Sequence, residues 1–195
     1  MKTIGIIGGM SAESTALYYA RLNQQARRRL GGLHSAECLI WSVDFARIER
    51  LQAAGAWDEA GAQLARIARA LERAGAELLI LATNTMHKVA DAITAATRLP
   101  FIHIADATAA RIRAAGLTRP GLMATAYTME QEFYVGRLRA AGLEPLIPDA
   151  AARAETHRII YEELCKGIIR AESRRAYEAI ARRLIDYYLA QEAGE

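Results

Sequence analysis

Thr3-Ile4-Gly5-Ile6-Ile7-Gly8-Gly9-Met10-Ser11-Ala12-Glu13-Ser14-Thr15 is the stretch on which the reading of the fold turns. A short apolar run, too brief for a helix, ends on two glycines, and a serine then opens a helical pattern. That order spells strand, tight turn and capped helix. The apolar part is also too short for a signal peptide or a membrane span. Working outward, short apolar runs alternate with longer stretches of helical period, as in a βαβ protein with a mostly parallel sheet. Strands are predicted at Thr3–Ile7, Glu37–Val43, Leu78–Leu81, Phe101–Ile104, Gly121–Ala124 and Glu144–Ile147. Helices are predicted at Ala12–Arg29, Trp57–Ala74, Ala105–Ala115, Met129–Ala140, Glu155–Gly167 and Ser173–Gln191, several ending in a glycine signal such as Gly75, Gly116 or Gly142.

The opening segment has a faint echo. Ile4-Gly5-Ile6-Ile7-Gly8-Gly9-Met10-Ser11 resembles Pro120-Gly121-Leu122-Met123-Ala124-Thr125-Ala126-Tyr127, with Gly5 and Gly121 as the best-matched pair. The expectation is an α/β fold of two similar, doubly wound parallel-sheet halves, residues 1–99 and 100–195, joined near Leu99-Pro100 with the ligand site between them.

Composition narrows the function. The 195 residues carry a net charge of +3, and the arginines are dispersed among alanine and acidic residues along helical segments. No basic stripe interleaved with aromatics is present, which argues against nucleic-acid binding. Cys38 and Cys165 stand in no metal-ligand or disulfide spacing, so they read as isolated reduced thiols of a cytoplasmic protein, without a metal site or a membrane partner. Neither a dinucleotide fingerprint nor a phosphate-binding loop is found.

Three segments place small or hydrogen-bonding residues just after a strand, where an open α/β sheet presents its ligand crevice. The first holds Met10 and Ser11, where backbone N–H groups can face an anion, or where Ser11 serves only as a helix cap. The second, Thr83-Asn84-Thr85, puts three side-chain donors together and suits a carboxylate; alternatively Asn84 or Thr85 caps the helix predicted over Met86–Ala95. His87 beside it is a general acid or, more commonly for a lone histidine, an orienting residue. The third offers Thr125 and Thr128, hydroxyls for a second carboxylate, with Thr128 also able to cap the helix that follows.

Taken together, IGIIGGMSAEST (4–15), GLHSAECLIWSVDF (32–45), TNTMHKVAD (83–91), FIHIADAT (101–108), YTMEQEFY (127–134) and EELCKG (162–167) resemble the cofactor-independent aspartate/glutamate racemase family. The resemblance runs from Met1 to about Leu189. It implies racemisation of an acidic amino acid by two cysteines that flank the α-carbon, one removing its proton and the other returning one. It also implies a homodimer, and a small acidic amino acid as the partner. In the family the first cysteine opens a C-T-N-T-M-H motif and the second lies in a G-C-T-E motif near the C-terminus.

This chain departs from that pattern. Ala82 occupies the first cysteine's position. By the internal offset the second would fall at about 198, beyond Glu195, so the second half is expected to lack its last strand and to leave Leu184, Ile185 and Leu189 uncovered. Cys38, inside a predicted strand, and Cys165, inside a predicted helix, read as buried structural thiols rather than replacements. Ala12 stands where relatives often carry Trp, and Ala126 where they often carry Arg. Lys166 matches a lysine that faces the distal carboxylate in some relatives, although a lysine beside a helix-ending glycine is usually solvated. The expected function is that of an aspartate/glutamate racemase whose catalysis is disabled. The alternatives are a non-catalytic binder of acidic amino acids and an isomerase of a small dicarboxylic acid.

Overall fold

The structure, a computed structural model, describes residues 1–194. The chain divides into two compact units, Met1–Ile104 and Ala105 onward. The division falls a few residues after Leu99-Pro100 because Phe101 and Ile102 are hydrogen-bonded into the sheet of the first unit.

In the first unit β1 (Ile4–Gly8), α1 (Ala12–Leu30), β2 (Cys38–Ser42), α2 (Phe45–Ala53), α3 (Trp57–Arg73) and β3 (Leu78–Leu81) follow in turn, then a 3-10 helix (Thr85–Val89), α4 (Ala90–Thr94) and β4 (Phe101–Ile102). The sheet is parallel, in the order β2-β1-β3-β4. Ile6 and Ile7 are both fully buried although they point to opposite faces, so β1 is covered on both sides, as a central parallel strand must be. On α3 the helical spacing of Leu64, Ile67, Ala68 and Leu71 makes one continuous buried face, which packs on Ile7, Leu79 and Leu81. Each fully buried Leu or Ile there contributes about 1.5–3 kcal/mol.

Several elements differ from the sequence expectation. Helix α2 escaped notice because its nine residues bury only Ile48 and Gln52. The fourth strand stops at Ile102, since Ile104 already opens α5 (Ile104–Ala114). The helix expected over Met86–Ala95 is a 3-10 turn followed by the short α4.

The second unit continues with α6 (Ala126–Glu130), α7 (Glu132–Ala140), α8 (Ala150–Glu162), a 3-10 helix (Leu164–Lys166) and α9 (Ala171–Glu192). The strands expected at Gly121–Ala124 and Glu144–Ile147 reduce to a parallel bridge between Gly121 and Leu146; Pro120, having no N–H to donate, limits the ladder there. The helix expected over Met129–Ala140 is two helices, broken where Gln131 takes an extended conformation. Helix α8 starts earlier than expected, at the Asp149 cap, and ends at Glu162. On α9 Leu184 is half-buried, while Ile185 and Leu189 are each 56% exposed. An apolar groove of about 310 Å³ runs beside α9 between Ile147, Ala152, Ile180 and Leu184.

His157, on α8, ties this unit together locally. Its Nδ1 accepts a hydrogen bond from the Ala126 N–H (3.1 Å), and its ring stacks on Tyr161. Burial holds the imidazole below its ordinary pKa, partly opposed by the Glu130 carboxylate.

Two predictions follow from this packing. A Cβ on Gly5 would lie 2.7 Å from Leu79 Cδ2 and 3.0 Å from the Ala76 Cβ, whereas one on Gly121 would meet only Leu184 Cδ1, at 3.4 Å. Gly5→Ala should therefore cost about 1–3 kcal/mol of stability, and Gly121→Ala should be neutral to within about 0.5 kcal/mol; denaturant melts of the two variants check the contrast. For His157, a lowered folded pKa means that its contribution is complete above the ordinary value of 6.5 and is lost as the pH falls through the lowered one. Thermal melts from about pH 7.5 to 5 should show this loss, and His157→Asn should flatten it. Equal losses in both proteins would sink the assignment.

Candidate functional site

In the order β2-β1-β3-β4 the chain winds from β1 to β2 on one side and then returns to β3 on the other. The loops that leave β1 and β3 therefore diverge at the topological switch point, the crevice where open α/β sheets bind ligands. Ala82 stands there, immediately after β3, and is fully buried. Its N–H donates to the Ile7 carbonyl (2.8 Å), and its carbonyl accepts from Ser14 Oγ (3.2 Å), so β1, β3 and the first turn of α1 all fix its position.

The loop after β1 is held as tightly. Gly9 has φ +89°, and a Cβ on it would lie 2.4 Å from both the N and O of Val43, so only glycine fits. The Gly9 N–H donates to Thr15 Oγ1 (2.8 Å), which in turn donates to the Ser11 carbonyl (2.8 Å). Ser11 does cap α1, its Oγ accepting from the Ser14 N–H at 3.3 Å. Met10 and Ser11 are both buried. The roles of Ser14 and Thr15 were not anticipated from sequence; the only signal was a run of hydroxyls at Ser11, Ser14 and Thr15, which share one helical face.

After β3, Thr83 is half-buried, Asn84 exposed and Thr85 buried. Asn84 makes no capping bond to the 3-10 helix, so the capping account of its side chain fails. His87 is 3% exposed. Its Nδ1 lies 2.7 Å from the Thr83 carbonyl, and its Nε2 accepts from the Ile104 N–H at 3.1 Å. A carbonyl can only accept and an amide can only donate, so the ring is neutral with its proton on Nδ1. Both ring nitrogens are engaged by backbone, which makes His87 an orienting residue rather than a proton donor to a ligand.

In the second unit Thr125, not Thr128, is the cap of α6, its Oγ1 accepting from the Thr128 N–H at 3.3 Å. Thr128 is fully buried, with the two hydroxyls 3.1 Å apart. Lys166 is exposed, on the turn after α8. That turn is organised by Glu163, whose carbonyl accepts from the Lys166 and Ile168 N–H groups and whose buried carboxylate accepts from Ser173 Oγ (2.6 Å) and Arg158 (3.0 Å). The Ser173 hydroxyl, with Arg158, holds that carboxyl below its ordinary pKa.

The two thiols are half-buried rather than buried. Cys38 lies on the edge strand β2, with Sγ directed at the Ala36 carbonyl (3.6 Å), and burial pushes its pKa up, away from a reactive thiolate. Cys165 lies in the short 3-10 helix after α8, not within an α-helix. Among the described residues no three His, Cys, Asp or Glu side chains converge as metal ligands, and no helix is long and apolar enough to cross a membrane.

The family described as Asp/Glu/Hydantoin racemase matches residues 7–191. A crystal structure from Yersinia pestis assigned to the Asp/Glu racemases is 52% identical, covering 96% of this chain and 82% of its own, with a TM-score of 0.86. An aspartate racemase homologue from Pyrococcus horikoshii OT3 is 36% identical over 98% of this chain and 81% of its own, with a TM-score of 0.79. The aspartate racemase of Picrophilus torridus, 20% identical over 95% of this chain and 77% of its own, shares the fold at a TM-score of 0.74. With a parallel sheet whose switch point carries the TNTMH loop, and with this match along almost its whole length, the chain belongs to the Asp/Glu/Hydantoin racemase family.

Proposed function

We propose that this chain binds aspartate or glutamate at the ends of its parallel strands, on a scaffold built for cofactor-independent, two-base racemisation, and that it does not itself exchange the α-proton. The observation that carries this reading is Ala82. It is fully buried at the switch point, bonded through both its N–H and its carbonyl, and stands where the resemblance places the first catalytic thiol. A methyl group cannot accept a proton. General-base catalysis contributes about 10²–10⁴-fold to such a step.

The ligand's α-carboxylate falls to Met10, Ser11, Thr83, Asn84 and Thr85. Hydroxyl, amide and backbone N–H groups fixed at strand ends suit a carboxylate, because they are oriented before it arrives. The same reading makes the protein cytoplasmic and dimeric. Exposed Leu17, Leu33, Ile40 and Trp41, on α1, after it and on the edge strand β2, favour a partner subunit.

Two experiments test the proposal. Calorimetric titration with the L and D forms of aspartate and glutamate should show binding with no α-deuterium uptake from D₂O, whereas Ala82→Cys, which puts a thiol back on that face, should exchange the α-proton. Exchange by the unsubstituted chain would refute the disabled reading; absence of binding in both forms would turn attention to a dicarboxylic acid as the ligand. Asn84 is exposed, so Asn84→Ala should leave the melting temperature unchanged. Losing a hydrogen bond to a charged carboxylate should weaken binding by about ten-fold or more, which the same titration reads.

A further inference from the structure

We propose that His87 is the positioning residue of the Ala82–Thr85 loop, and that it acts through its Nδ1–H tautomer; this rests on the ligand-binding role proposed above for that loop. Ala82 itself is held by Ile7 and Ser14, but the residues after it run into a helix that does little to fix them. The loop leaves β3 at Leu81, and the 3-10 helix that follows is only five residues long and begins without a side-chain cap. Short 3-10 turns have poor hydrogen-bond geometry and do not hold their own shape.

His87 supplies the missing restraint with three bonds. Its backbone N–H donates to the Asn84 carbonyl (3.0 Å), its Nδ1–H donates to the Thr83 carbonyl (2.7 Å), and its Nε2 accepts from the Ile104 N–H (3.1 Å). Two successive carbonyls are thus drawn toward one residue. In a trans peptide the carbonyl and the following N–H point in opposite directions, so the N–H groups of Asn84 and Thr85 turn away from His87. The orientation of the segment between Thr83 and Thr85 is therefore set by the side chain four residues after Thr83.

The ring cannot swing out of this arrangement cheaply. It is 3% exposed, lies edge-on to His103 with ring centroids 4.4 Å apart, and is tilted against Phe101 at 5.6 Å. Its anchor at Ile104 adjoins β4, which is itself paired with β3. The strand that launches the loop and the strand just before its anchor thus belong to one sheet. A neutral imidazole is the one side chain that can donate from one ring position and accept at the other in this geometry.

The test separates the two ring nitrogens. In the full chain, His87→Asn places an amide N–H where Nδ1 stood and keeps the Thr83 tie, whereas His87→Gln places a carbonyl oxygen where Nε2 stood and keeps only the Ile104 tie. Both variants should lower the melting temperature by similar amounts. Only His87→Gln should speed amide exchange at residues 83–87 and weaken binding of acidic amino acids, each by about ten-fold, with His87→Asn staying close to the parent. Nitrogen-15 spectra of the ligand-free chain should show the His87 proton on Nδ1. A proton on Nε2, or equal effects of Asn and Gln on exchange, would overturn the proposal. Because the tautomer and the exchange rates need no ligand, they decide the role of His87 even if the parent binds no amino acid, an outcome that would instead refute the proposed function.

Discussion

The rest of the first unit depends on the parallel pairing of β1 with β3. These strands sit at the centre of the sheet, and Gly5 is what lets them pack: its missing side chain leaves room for Leu79 and Ala76. The ladder runs from Ile4 opposite Leu78 to Ile7 opposite Leu81, and one bond further on the Ala82 N–H reaches the Ile7 carbonyl. Core and site are therefore one continuous structure. A shift of register by one residue would turn Leu79 and Leu81 away from α3 and would at the same time move Ala82 from the switch point.

Buried polar groups extend that order into the loops. Thr15 and Ser14, on α1, hold the backbone of the loops after β1 and β3, and His87 ties its own loop to the Ile104 N–H; in each case the partner is a backbone group. Such bonds add modestly to net stability, about 0.5–1.5 kcal/mol each. Their larger effect is on uniqueness, because a buried donor left without its acceptor costs more than the bond itself contributes. The two histidines that accept from backbone amides, His87 from Ile104 and His157 from Ala126, do so in different units with different ring nitrogens. Residue type alone does not reveal which nitrogen is used; the neighbouring backbone decides it.

The parts of the fold legible in the sequence are those governed by local pattern. The strands around Ile4–Gly8 and Leu78–Leu81 and the helices α1, α3 and α9 show their period in the sequence, and they lie within one or two residues of expectation, α9 starting at Ala171 rather than Ser173. Helix α2 has too narrow an apolar face to announce itself. The segments near Gly121 and Leu146 have strand composition, yet extended pairing depends on neighbours that composition does not specify. At the site, the short hydroxyl and amide run at Thr83–Thr85 was conspicuous because it follows an apolar strand. The supporting contacts of Ser14, Thr15 and Glu163 were not, since each acts on a group distant in the chain or on backbone that sequence leaves undirected.

Under the proposed function, Ala82 separates fold from catalysis at this position. A buried cysteine behaves as a small apolar residue, and replacing its thiol by hydrogen removes little volume and no obligatory hydrogen bond. The backbone bonds that fix Ala82, to Ile7 and from Ser14, do not involve its side chain at all. On that reading, loss of the base is nearly invisible to the core and decisive for a reaction whose first step would be removal of a proton from carbon. The same backbone bonds also mean that a sulfur restored at this Cβ would arrive already oriented, because Ile7, Ser14 and the His87-held loop define where the Cα–Cβ bond points. Geometry of this kind survives the loss of the reactive atom, and it is what makes the surrounding residues readable as a site when their chemistry is incomplete.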